Sequence, residues 1–187
     1  MKEPVRNRFP ISVEMYHLMA EKGVFAPDDR VELIEGELFE MSPIGSLHVR
    51  CVNVLNEFFV RALPDMFLVS VQNPFISSSH SEPQPDLTIL KRTADLYKIA
   101  LPVGNDVAIV IEVSDTTATF DRKRKLPTYA AAGIPEAWLV DLRAGHVEVH
   151  TEPTPDGYNA VKIYRRGDNA VSKSIVGVNL SVDDILG

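Results

Sequence analysis

Apolar positions along this chain follow two rhythms, one nearly continuous over short runs and one recurring at helical spacing. Val107, Ala108, Ile109, Val110 and Ile111 form the clearest continuous run. It is too short for a membrane span and too β-branched for a comfortable helix, so it predicts a strand buried on both faces. A second run, Ala137 to Val140, predicts another strand. Between them lie Arg122, Lys123, Arg124 and Lys125, then a helical patch that ends at Gly133. The segment from Asp106 to Asp141 thus reads as strand, basic loop or helix, strand, and the remaining elements are arranged around it.

Helical spacing is clearest from Ser46 to Leu63, where Leu47, Cys51, Val54, Leu55, Phe58, Phe59 and Ala62 form one stripe, with Ser46 as N-cap and Pro64 beyond the end. A shorter helix is predicted over Ser12 to Lys22 from its N-cap serine and from Gly23 after the last turn. Val31 to Met41 alternates about Glu35-Gly36 and predicts a hairpin with Gly36 at positive φ. Met66 to Val71 predicts a strand, and Pro83 and Pro85 force extended backbone into another near 86–90. His146–His150 and Tyr158–Tyr164 predict a C-terminal hairpin across a turn-rich T-E-P-T-P-D-G loop, and Ser181 caps a last turn over 182–186.

At 187 residues and 45% hydrophobic, the chain is long enough for one substantial core, and a single domain over 1–187 is expected. The lone cysteine, Cys51, excludes an internal disulfide framework, fits a reducing compartment and, on the apolar stripe of its helix, reads as a buried inert thiol. No run approaches the roughly 20 apolar residues that cross a bilayer, and the first residues lack a secretory h-region. A soluble, cytoplasmic protein with no membrane partner is expected. A formal charge of −7 argues against a protein that coats nucleic acid through many phosphate contacts. On charge alone, 122–125 reads as solvated surface; the hairpin acids Glu32, Glu35, Glu37 and Glu40 could ring a site, but most of them are expected on the wet face of the hairpin.

Glu112 changes this picture, because a carboxylate at the end of a core strand is costly unless something positive meets it. Asp86 sits at another strand entrance in stiffened backbone, where a turn or cap role is the simpler assignment. If the two strands are neighbours, the carboxylates converge, and like charges that close need a shared cation. Hard oxygen donors of this kind suit Mg²⁺ or Mn²⁺, and a nearby lysine can orient the attacking water. His48, in the first turn of its helix and one residue off the stripe, is placed to reach such a site. His146 and His150 share a strand face but lack a third ligand nearby in sequence.

The blocks P-Q-P-D, I-V-I-E-V-S and D-R-K-R-K-L-P-T-Y-A-A-A-G-I-P-E-A-W-L-V-D, with E-L-I-E-G-E-L-F-E-M-S-P and His48 before them, resemble the Uma-type proteins of the PD-(D/E)xK nuclease superfamily. The resemblance runs from about Ser12 to Leu186. It implies an α/β, restriction-endonuclease-like core: a central mixed sheet flanked by helices, with an N-terminal helix plus β-hairpin and a C-terminal β-hairpin. It further implies Asp86, Glu112 and the main-chain carbonyl of Val113 as metal ligands, and Mg²⁺-dependent hydrolysis of DNA; because cleaving a duplex uses two sites related by a two-fold axis, a homodimer is a plausible arrangement. Three departures stand out. Glu112-Val113-Ser114 lacks the strand lysine, for which Lys125, then Lys123, is the best substitute on the next helix. Pro127 costs about 3 kcal/mol inside a helix, so the helix is expected to start or kink there and leave Lys125 in the loop before it. Gln84 stands where an acid is usual. The missing strand lysine and Gln84 leave open a catalytically silent module that binds a protein or nucleic-acid partner.

Overall fold

The structure, a computed structural model, describes residues 8–187; the segment read for a secretory leader lies largely outside them. Helix α1 (Val13–Glu21) begins at Ser12, whose Oγ accepts from the Met15 amide at 3.2 Å. Strands β1 (Val31–Ile34) and β2 (Glu37–Glu40) form the expected hairpin, with Glu35 and Gly36 both at positive φ. Gly36 has a second reason to be glycine: a Cβ there would lie 2.7 Å from the Pro10 Cβ.

Helix α2 (Ser46–Ala62) and strands β3 (Phe67–Val71), β4 (Leu87–Lys91) and β5 (Val107–Ser114) follow. Gly45, not Ser46, is the N-cap of α2, without a side-chain hydrogen bond, and the buried stripe is Cys51, Val52, Leu55 and Phe59, so Leu47 is exposed. After β5 come α3 (Ala118–Phe120), a π-turn over Asp121–Lys125 and α4 (Leu126–Ala131), then β6 (Glu136–Asp141), β7 (His146–Thr154) and β8 (Gly157–Arg165). Two short strands, β9 (Asn169–Val171) and β10 (Asn179–Ser181), lead into α5 (Val182–Leu186), capped by Ser181.

Six strands form one mixed sheet in the order β3-β4-β5-β6-β7-β8. Only β5 and β6 are parallel, because the helical crossover of 118–131 lies between them. Both faces are covered, which explains why β5 and β6 are buried throughout. On one face α2 and α5 pack on Ile109, Ile111, Trp138 and Val149, with Phe59 edge-on to Trp138 at 5.9 Å. On the other, α4 packs Leu126 and Tyr129 against Val110 and Leu139. The C-terminal hairpin is longer than its polar loop predicted: β7 reaches Thr154 and β8 starts at Gly157. Beyond Thr151 strand β7 has lost its β6 neighbour, so Pro153 removes no ladder bond on that side.

Candidate active site

The alternation of β5 decides which side chains enter the site. Ile109, Ile111 and Val113 face the core beneath α2, so Glu112 and Ser114 face the helical crossover with Val110. Pairing of β4 with β5 starts at Leu87 opposite Ile111, and Asp86 stands one residue before it, next to the open edge of β5. Its Oδ2 accepts from the Val113 amide at 2.9 Å and lies 3.0 Å from Nε2 of His48, while Oδ1 accepts from Gln72 at 3.3 Å. The two strand ends and the first turn of α2 thus bring Asp86, Glu112 and His48 to one cleft of about 310 Å³.

Lys125 completes the floor. It is helical, in the π-turn rather than in a preceding loop, and almost fully buried. The π-turn also answers the Pro127 problem. A proline ring collides with the carbonyl four residues back in a regular α-turn, and widening the turn by one residue just before it relieves the crowding. The Lys125 ammonium lies 2.9 Å from Glu112 Oε1 and 3.1 Å from Glu32 Oε2. Tyr129, buried on α4, donates its hydroxyl to the same Oε1, and among the described residues nothing bonds Oε2.

The charges do not balance. Glu32, Asp86, Glu112 and Asp121 all line the cleft, and Lys125 is the ammonium among them. Burial pushes the Glu112 carboxyl up to about 8; Lys125 pulls against this, and Asp121, Asp86 and Glu32 push further in the same direction. Burial also raises Asp121, although Lys125 and hydrogen bonds from Ser114 at 2.6 Å and Thr117 at 2.8 Å oppose it. Burial alone would lower Lys125, but Glu112, Glu32 and Asp121 outweigh it and hold the ammonium above its ordinary range.

The basic run is not a solvated patch, contrary to expectation. Arg122 reaches Asp141 and Glu148, each at 2.6 Å, and Arg124 reaches Glu35 at 3.1 Å and Glu37 at 2.9 Å. Lys123 alone of the four is exposed. Of the hairpin acids Glu35 and Glu40 are exposed, whereas Glu32 is buried against Lys125 and accepts the Gln84 amide at 3.1 Å. A carboxylate from the hairpin therefore stands beside the position where Gln84 supplies none. The available signal was Leu33-Ile34, two adjacent apolar residues that deny the strand a wholly wet face. Asp121 was also missed, although it precedes Lys125 by four residues in a helical stretch. His146 and His150 stay outside the cleft and each lie 2.9 Å from Glu148. Cys51 is buried, and burial first, then Asp86, raises its thiol to about 12.

The α/β architecture is shared with a solved structure from Anabaena variabilis, described as a "putative nuclease belonging to DUF820", which superposes with a TM-score of 0.69 over 95% of this chain and 98% of that one, at 17% identity. The sequence pattern of the Uma2 family, "Putative restriction endonuclease", matches residues 13–183, and the chain belongs to that family. No curated protein matches it. Among the described residues no helix is long and apolar enough to cross a membrane.

Proposed function

We propose that the chain is a divalent-metal-dependent endonuclease that hydrolyses DNA phosphodiesters, with Asp86, Glu112 and the Val113 carbonyl as the protein ligands of Mg²⁺ or Mn²⁺. The observation that carries this is the convergence of two carboxylates from separate strand ends with a buried lysine in one open cleft. The donor set fits a hard cation. Among the described residues nothing hydrogen-bonds Glu112 Oε2, and an added positive charge would oppose the effect of burial that raises its carboxyl. In an extended strand the N–H and C=O of one residue leave on the same side. Since the Val113 amide points at Asp86, its carbonyl faces the same opening past the start of β4. No three His, Cys, Asp or Glu side chains among the described residues group at ligand spacing. Mg²⁺ takes one or two carboxylates and keeps several waters, and Asp86 and Glu112 are the two carboxylates proposed here.

When bound, the ion supplies Lewis acidity at a phosphoryl oxygen and makes a water more acidic. The chain's own groups do the rest. Lys125 has three N–H donors, two of them held by Glu32 and Glu112, and the third is left to orient the attacking water and meet charge growing on the phosphate. His48 fixes the rotamer of Asp86 through their hydrogen bond, while its Nδ1 is buried with no partner among the described residues. Tyr129 and Lys125 together hold Glu112 from one oxygen, leaving the other to face the cleft.

The competing reading is a silent nuclease-fold module, favoured by Gln84 in the place of an acid. Plasmid nicking with Mg²⁺ or Mn²⁺, run beside melting curves of wild type, Asp86→Ala and Glu112→Gln, separates the two. Metal-dependent nicking and a metal-induced rise in Tm, both lost in the variants, support the enzyme. A wild-type melting curve unmoved by either ion and no nicking support the module.

A further inference from the structure

The cleft also carries aromatic rings that metal chemistry does not need. Phe39 of β2 and Phe120 of α3 line it, partly exposed, with ring centroids 4.9 Å apart and planes at 60°. Arg124, clamped by Glu35 and Glu37, lies over the Phe39 ring at 5.5 Å and props the pair from the hairpin side. Two further features bear on the substrate. Three of the four residues of the basic run, Arg122, Arg124 and Lys125, are engaged internally, and the cleft is lined by more acids than cations. The carboxylates and the ammonium also lie deep: Glu32, Glu112 and Lys125 are 4–6% exposed at the floor of the cleft.

We propose that this cleft takes single-stranded DNA, with an unpaired base stacked on the Phe39–Phe120 pair while the adjoining phosphate reaches Asp86, Glu112 and Lys125; this rests on the nuclease assignment above. A duplex presents its phosphates on a stiff convex surface and depends on many basic contacts, and in this cleft Arg30 and Lys125 are outnumbered by acids. A single strand can turn one nucleotide inward, and its affinity comes in large part from stacking on aromatic faces, which is indifferent to base identity.

The test is fluorescence anisotropy of the Glu112→Gln protein in Mg²⁺ with a labelled single-stranded oligodeoxynucleotide and with the same strand annealed to its complement. The single strand should bind at least about tenfold more tightly, and adding Phe120→Leu should weaken that binding by about 5- to 150-fold, the range of one stacked base. Leucine keeps the apolar contact with Phe39 and removes the π-face, and an unchanged Tm in Phe120→Leu certifies the fold. Equal or tighter duplex binding, single-strand binding indifferent to Phe120→Leu, or no binding of either probe overturns the inference. Because the readout is binding, it separates from the nuclease assignment: Phe120-dependent single-strand binding without metal-dependent cleavage sinks only the latter, and cleavage of duplex without single-strand preference sinks only the former.

Discussion

Two clusters of buried charge are built from the same five residues, D-R-K-R-K, and they differ in how well they are balanced. In the first, Arg122 joins Asp141 and Glu148, and His146 and His150 flank Glu148 on the same strand face. Burial alone would raise Glu148, but hydrogen bonds from His150, Arg122 and His146 outweigh it and hold the carboxyl well below its ordinary range. In the second, three residues further on, Lys125 faces Glu32, Glu112 and Asp121, and Glu112 rises. A satisfied cluster ties the crossover to the sheet and needs nothing more. An unsatisfied one that lines a cleft is where the proposed cation would sit, and perturbed acids cluster at functional sites.

The largest expected effect in breaking this contrast is on chemistry. Glu112→Gln should lower metal-dependent nicking on the order of a thousandfold, comparable to losing one aligned charge-stabilising group; a variant within tenfold of wild type would remove Glu112 from the site. The second concerns pH. Because folding raises the Glu112 carboxyl from 4.5 to about 8, the native state holds a proton that the unfolded chain has lost across this interval. Stability of the metal-free protein should therefore fall as pH rises from about 5 to about 8, by as much as about 4 kcal/mol, and chemical denaturation of Glu112→Gln should have a flatter profile. Third, Lys125→Met leaves Glu32, Glu112 and Asp121 without their ammonium. It should cost about 3 kcal/mol, and Mg²⁺ should restore part of the lost Tm. Smallest is Arg122→Met: its side chain is a third exposed and the histidines remain beside Glu148. A loss of about 2 kcal/mol is expected, read as a Tm drop of roughly 4–8 °C, with no response to divalent metal. A metal-dependent rescue of Arg122→Met would erase the distinction between the clusters.

The parts legible in the sequence were those governed by local pattern. The continuous run at 107–111, the stripe of α2 and the prolines before Asp86 located β5, α2 and β4, and with them Glu112, His48 and Asp86. What stayed hidden depends on long-range packing. Glu32 turns inward because Lys125, far along the chain, meets it there, and nothing within the hairpin announces that partner. Pro127 misled in the same way, since a wide turn that absorbs it is a rare backbone state that local propensity does not anticipate. The strands β9 and β10, three residues each, are too short to show any period.

The wide turn has one more consequence. Successive residues in it leave the axis about a quarter-circle apart, so four neighbouring cations are dealt to four destinations: Arg122 to the sheet, Lys123 to water, Arg124 to the hairpin and Lys125 to the cleft. The segment works as a hub whose spokes share a single phase. Inserting or deleting one residue there would rotate every spoke together, uncoupling sheet, hairpin and cleft in a single step, whereas a point substitution loosens only one.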